Sequence, residues 1–322
     1  MDRYRRFAEA MAEADPSIRL LACGSPVLTG DAWNRALIRG GGRLFTELAD
    51  HVLLGSGVGP DADPLDVYRD FLALPAALEG RYRGMHELML QAGIERPRIA
   101  ITELQLFARI RGEVSDPGRR RLTPETLVGP ATLAEALYDT LLYHVAARLA
   151  PLIEIITHSA TVNHGGGLRK ERERVYANPC YYARSLFSAF LGASPVLQEL
   201  ECGVCRAPGV LADLRESGFQ EALPLVDSLA AVDGSGDVLV SLVHRGTEAP
   251  VEVELELEGL DASSRVGALL LGSARPWDAN SLEQPERIRP ARTTARLRAG
   301  RLRVELPPFA LLHLRVGAAS SR

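Results

Sequence analysis

Apolar and polar positions along the chain follow two different periods, and the change falls near residue 195. In the first part, segments with apolar residues at helical spacing alternate with short apolar runs. Tyr4, Phe7, Ala8 and Met11 recur at such spacing and predict a helix that Asp15-Pro16 ends. The run from Ile18 to Cys23 reads as a buried strand closed by Gly24-Ser25-Pro26. Helix-compatible residues from Trp33 to Glu47 precede a strand at His51 to Leu54, which Gly55-Ser56-Gly57 closes. A long helix over 65–92 leads to a strand from Arg98 to Glu103, and a helix over 133–148 leads to a strand over 152–157. A last helix is expected over 178–191, with Asn178 as its cap and Pro179 in its first turn. Strands alternating with helices predict parallel β/α units.

Beyond residue 195 the period becomes two. Val251, Val253, Leu255 and Leu257 alternate with Glu252, Glu254, Glu256 and Glu258, which gives a sheet one apolar and one wet face. Leu302 to Leu306 repeats the pattern after the turn residue Gly300. The expected fold is α/β plus all-β: a partial (β/α)8 barrel of the TIM type over 1–194, then an antiparallel β-sandwich over 195–322. Four strands make half of the eight that close such a barrel. The chain also opens on a helix with no strand before it, so the other half of the barrel is expected to lie outside this sequence.

Composition narrows the partners. With 322 residues, 46% hydrophobic and 24% charged, the chain is long enough for two domains with cores of their own. The net charge of −4, without a basic stripe, gives no case for nucleic acid. No run approaches the ~20 apolar residues that cross a bilayer, so no membrane partner is expected. The start of the chain does not read as a secretory leader. Cys23, Cys180, Cys202 and Cys205 are too scattered for a disulfide scaffold, so a cytoplasmic location is expected.

The strand that delivers Glu103 carries the most chemistry. A carboxylate at the C-terminal tip of a barrel strand is where a catalytic residue is expected, although a solvated strand end is the plainer reading. Glycoside hydrolysis uses two facing carboxylates, and no convincing partner for Glu103 stands out; Glu154, alternating with apolar neighbours, is a weak substitute.

The order of several short segments resembles the α-L-arabinofuranosidases of glycoside hydrolase family 51. Asp15-Pro16-Ser17-Ile18-Arg19-Leu20 with Cys23-Gly24-Ser25 looks like the family's fifth barrel strand, Ala49-Asp50-His51-Val52 like the sixth and Ile101-Thr102-Glu103 like the seventh. Leu149-Ala150-Pro151-Leu152 resembles the entry to the eighth. Trp277 to Glu286 and Leu306-Pro307-Pro308-Phe309-Ala310 resemble parts of the family's sandwich. The resemblance implies a retaining hydrolase that removes terminal arabinofuranosyl groups from hemicellulose or pectin fragments, with Glu103 as nucleophile. It places the acid/base glutamate before Met1. It also departs from the pattern: a histidine and a tyrosine expected after the sixth strand are Gly55 and Gly57, and the tryptophan and asparagine expected after the nucleophile are Leu104 and Gln105.

The segment Thr157 to Gly167 follows the last such strand. His158 and Asn163 can bond sugar hydroxyls there, with three glycines permitting close backbone approach; equally, the loop can tie down its own backbone. His158 and His164 do not make a metal site by spacing, and the lone Cys202-x-x-Cys205 lacks a second ligand pair. Gly40-Gly41-Gly42 lacks the lysine and hydroxyl residue of a phosphate loop. No metal and no cofactor is implied. The expected partners are an arabinose-containing oligosaccharide and either further copies of the chain or a complementing barrel half. The alternative is a non-catalytic carbohydrate-binding or interaction protein built on a degenerate barrel fragment.

Overall fold

Each of the first four strands is short and apolar, and each is followed or preceded by a helix that covers one of its faces. The computed structural model describes residues 1–113, 118, 121–257, 265–298 and 301–317. Its first part runs α1 (Asp2–Ala14), β1 (Leu21–Cys23), α2 (Asp31–Gly41), β2 (Glu47–Leu54), α3 (Pro64–Gln91), β3 (Arg98–Leu106), α4 (Leu133–Arg148) and β4 (Ile153–His158). The four strands form one parallel sheet in the order β1-β2-β3-β4. Asp63 starts α3 by accepting the Leu65 N–H at 2.9 Å, with Pro64 in the first turn where its missing N–H does no harm. Helix α4 is buried nearly all round, because the parallel sheet covers one side and the C-terminal sheet the other.

Three boundaries differ from the sequence reading. Strand β2 begins at Glu47, not His51, because α2 ends at Gly41 and Gly42 adopts a positive φ that stops the helix early. Strand β3 continues past Glu103 to Leu106, since Leu104 and Leu106 are buried and pair with Val52 and Leu54. Helix α5 (Pro179–Phe187) gives way to a single 3-10 turn at Ser188–Phe190. Asn178 holds the cap position, yet its side chain makes no capping bond and is buried without a partner; Pro179 alone fixes that start.

The C-terminal part is a β-sandwich. The strands β7 (Val226–Val232), β8 (Val238–His244), β10 (Arg265–Gly272) and β13 (Ala310–Gly317) form most of one antiparallel sheet, whose edge is Ser194–Pro195. Before the sandwich, β5 (Leu168–Glu171) and β6 (Arg174–Ala177) form a separate antiparallel hairpin. The second sheet holds β9 (Val251–Glu256), β11 (Arg296–Arg298) and β12 (Arg301–Leu306). Leu242, Leu302, Val304, Leu306, Leu312 and Leu314 fill the space between the sheets. On the wet face, Glu254 meets Arg301 and Arg303 at 2.5 Å. Glu258 and Gly300, expected in this pattern, lie outside the described residues.

A buried polar cluster joins α4 to the sandwich. The Asp227 carboxylate meets the His144 ring Nδ1 at 2.6 Å and accepts from Arg245 at 2.6 Å and Arg148 at 3.2 Å. His144 Nε2 lies 2.7 Å from Ser241 Oγ, which lies 3.0 Å from His313 Nε2. Burial alone raises the Asp227 carboxyl, but Arg245, then His144 and Arg148, more than offset it and hold the group far below the usual carboxylate range. Burial, with His144 close by, pushes His313 down to about 3.

Two outcomes follow for stability. Asp227→Asn leaves the buried Arg245 short of its counter-charge and is expected to cost about 3–5 kcal/mol in urea unfolding. His313 binds its proton more weakly folded than unfolded, so its contribution is present above the ordinary ~6.5 and is lost as pH falls toward about 3. Between pH 6 and pH 4, wild-type stability should therefore fall more steeply than that of His313→Gln, by up to ~1.4 kcal/mol per pH unit. Parallel slopes would contradict this account.

Candidate active site

A break in strand register sets the position of Glu103. Asp50 pairs with Ile101, but the next residue, His51, pairs with Glu103, so Thr102 is an extra residue in β3. The ladder to β4 slips at the same place: Ile101 pairs with Ile156 and Leu104 with His158. Side chains replace the ladder bonds that this bulge removes. Thr157 Oγ1 donates to the Thr102 carbonyl at 2.6 Å, and Thr102 Oγ1 donates to the Asp50 carbonyl at 3.3 Å. Bulges re-aim side chains near functional sites.

Paired residues of neighbouring strands project to one face of the sheet, and successive residues alternate. In β2, Leu48, Asp50, Val52 and Leu54 are buried toward the helices, where Tyr82 of α3 donates to Asp50 at 2.7 Å. That bond and the Val27 N–H at 3.0 Å hold the Asp50 carboxyl, which burial raises to about 6. His51 and Leu53 lie on the opposite, open face with Cys23 of β1. Glu103 pairs with His51 and shares that face, half-buried at the bulge.

The other carboxylates of the open face sit at its far end. Arg19 reaches Glu47 Oε1 at 3.1 Å and Glu154 Oε2 at 3.0 Å, and Arg98 Nε lies 3.7 Å from Glu154. Arg19 precedes β1 while Glu154 belongs to β4, so the sheet curls enough for one side chain to link its two outer strands. Glu47 pairs with Arg98, and the rise from Arg98 to Glu103 is ~16 Å at ~3.3 Å per residue. That is about three times the ~5–5.5 Å between the two carboxyls of a retaining glycosidase. Glu154 is thereby placed in an ion pair remote from Glu103.

The two other expected site residues are held by neighbours within the protein. His158 pairs with Leu104 and faces the helix layer, its side chain only 5% exposed. Its Nε2 lies 2.7 Å from the Tyr143 hydroxyl and its Nδ1 3.8 Å from Asp139. Burial, then Arg184, lowers its pKa to about 4, so the ring is neutral at pH 7. It borders a cleft of about 460 Å³ lined by Tyr143, Ile156, Arg184 and Phe187 on that outer side. Asn163 is exposed at φ +60°, and both ends of its amide are bonded to the Lys170 backbone, at 3.0 and 2.7 Å. The loop glycines answer packing within the protein: a Cβ on Gly166 would lie 2.2 Å from Thr161 Cα. Gly167, at φ +89°, would meet the Tyr181 backbone N at 2.7 Å.

Residues that the sequence reading passed over complete the mouth. His51 and Thr157 flank Glu103, and only the register could have shown them. Asp227, His144 and Ser241 are connected as in a serine hydrolase, but His144 and Ser241 are 0% exposed, so no substrate reaches the hydroxyl. Among the described residues no group of three or more His, Cys, Asp or Glu side chains can hold a metal ion. Chemically, the face offers one carboxylate beside an imidazole and a hydroxyl.

Comparisons with known proteins bear on what such a face does. A curated relative, the intracellular exo-α-(1→5)-L-arabinofuranosidase of Streptomyces lividans, is 25% identical over 94% of this chain and 45% of its own length. The chain thus spans about half of that relative. The glycoside hydrolase family 51 arabinofuranosidase of Xanthomonas axonopodis pv. citri superposes with a TM-score of 0.76 at 17% identity, over 98% of this chain and 62% of that one. The Thermotoga maritima α-L-arabinofuranosidase, solved as an arabinose complex, gives 0.74 at 18% identity, over 97% and 60%. At such identities these structures speak for the fold alone. No helix among the described residues is long and apolar enough to cross a membrane. The model of the α-L-arabinofuranosidase C-terminal domain matches residues 112–310, well over half of the sequence, and the chain belongs to that family.

Proposed function

We propose that this chain is the nucleophile-bearing part of a retaining α-L-arabinofuranosidase, acting on terminal arabinofuranosyl groups of hemicellulose or pectin fragments. The observation that carries the reading is the bulge that turns Glu103 onto the open face of the parallel sheet beside His51. In this reading residues 1–194 are half of a (β/α)8 barrel and 195–322 its sandwich. The curl that lets Arg19 link β1 to β4 supports a sheet on its way to closure.

The Glu103 carboxylate attacks the anomeric carbon and forms a glycosyl ester as the bond to the leaving oxygen breaks. The leaving oxygen takes the electron pair and needs a proton. Water then hydrolyses the ester, releasing arabinose and restoring the carboxylate. Along the sheet Glu47 is ~16 Å from Glu103 and Glu154, level with Ile99 and Ala100, ~10–13 Å, both too far to give that proton. In this reading the proton comes from a carboxyl other than Glu47 and Glu154, supplied by a complementing barrel half. Thr157 holds the bulge, while His158 is engaged by Tyr143 and Asn163 by the Lys170 backbone.

The open face also favours a second reading, a non-catalytic interaction protein. Leu21, Trp33 and Leu53 are exposed there beside the free edges of β1 and β4, a surface that suits a protein partner.

Leaving-group dependence separates the readings. The purified chain should cleave a dinitrophenyl arabinofuranoside, which departs without a proton, while a methyl arabinofuranoside should be slower by a further ~10²–10⁴-fold than in a complete enzyme. Glu103→Gln should lower the dinitrophenyl rate by roughly 10³-fold or more. Undiminished turnover in Glu103→Gln would remove Glu103 as nucleophile, and absence of any turnover on the activated substrate would favour the interaction protein. Thr157→Val should lower kcat with little change in KM, because the bulge loses the 2.6 Å bond that fixes it.

A further inference from the structure

Trp33 is a tryptophan held in the open. The residue is 60% exposed although it lies in the first turn of α2, beside the end of β1. The indole N–H is already engaged, donating to the Cys23 carbonyl at 3.0 Å. The ring can therefore offer a ligand only its π-face.

The segment that carries it is fixed from several sides. Asn34, fully buried, accepts from the Ser25 N–H and donates to the Ser25 carbonyl, both at 2.8 Å. Gly24 N–H donates to the Ala49 carbonyl at 3.1 Å, and Val27 N–H to Asp50 at 3.0 Å. The approach at Gly24 is so close that a Cβ there would lie 2.2 Å from the Ala49 oxygen. Exposing so large an apolar surface works against stability, and a rigid frame that keeps it exposed removes the entropy cost of ordering it for a ligand.

Its place on the sheet selects the ligand. Cys23 pairs with Ala49 and lies on the open face that Glu103 shares. Strands β1 and β3 flank β2, and Cys23 is level with Ala49, two residues before His51, so the Cys23 and Glu103 backbones are ~12 Å apart. A sugar ring presents C–H groups on one face, which suit an aromatic π-face that has no free donor.

We propose that Trp33 is the stacking platform for the sugar next to the arabinofuranosyl group attacked by Glu103, so that it sets selection for an oligosaccharide over a monosaccharide. This rests on the reading of Glu103 given above. Trp33 and Trp277 are the two tryptophans of the chain, which makes the proposal readable by intrinsic fluorescence.

The test titrates the full chain with α-1,5-linked arabinotriose and, separately, with arabinose. Arabinotriose should quench the emission of wild type and of Trp277→Phe. By calorimetry Trp33→Ala should bind the trisaccharide about tenfold more weakly and arabinose unchanged. Equal trisaccharide affinity in Trp33→Ala, with binding otherwise intact, overturns the platform and leaves the Glu103 reading standing. No binding of either sugar to any variant overturns both. If Trp33→Ala instead turns a self-associated chain into a monomer by sedimentation, with sugar binding unaltered, the indole serves a protein contact and the platform is wrong.

Discussion

The register break at Thr102 is the constraint on which the site depends. Without the extra residue, strict alternation from Ile101 would place Glu103 on the helix-covered side with Asp50 and Tyr82, where an ionised carboxylate would be buried. With it, Glu103 pairs with His51 and faces solvent. The break is held by two threonine hydroxyls on neighbouring strands, so the geometry of one carboxylate rests on three adjacent strands at once. His158, two residues after Ile156 on β4, faces the outer layer, where its Nε2 lies 2.7 Å from the Tyr143 hydroxyl.

The two ends of the open face do different work. At the end where the strands begin, Arg19 and Arg98 neutralise Glu47 and Glu154 and draw the outer strands toward each other. At the end where they finish, Glu103, His51, Thr157 and Trp33 are left accessible. The sandwich steadies this arrangement from behind. Helix α4 lies between the sheets, and its His144 and Arg148 are fastened to Asp227, which ties the layer under Glu103 and His158 to the sandwich.

Much of the fold was legible because its signals are local. The 3.6-residue spacing of α1 and the helix-compatible stretches over 65–92 and 133–148 marked helices correctly, and the Val/Glu alternation from residue 251 marked a one-sided sheet. Boundaries failed where backbone geometry overrode composition: Gly42 ended α2 early, and burial of Leu104 and Leu106 carried β3 beyond Glu103. The site was legible only in part. Glu103 stood out by its place after an apolar run, whereas His51 and Thr157 are its neighbours solely through a bulge that no periodicity announces. Sequence does not show that His158 is bonded to Tyr143 and Asn163 to the Lys170 backbone. The Asp227 cluster joins residues far apart in the chain and has no local signature.

Covalent trapping tests the central claim most directly. A 2-fluoro-arabinofuranoside with a dinitrophenyl leaving group loses that group without a proton donor and lets the glycosyl ester accumulate. Peptide mapping by mass spectrometry after incubation should find one arabinofuranosyl adduct per chain, on Glu103. An adduct on any other carboxylate, Glu47 or Glu154 included, or an unmodified chain, would contradict the account.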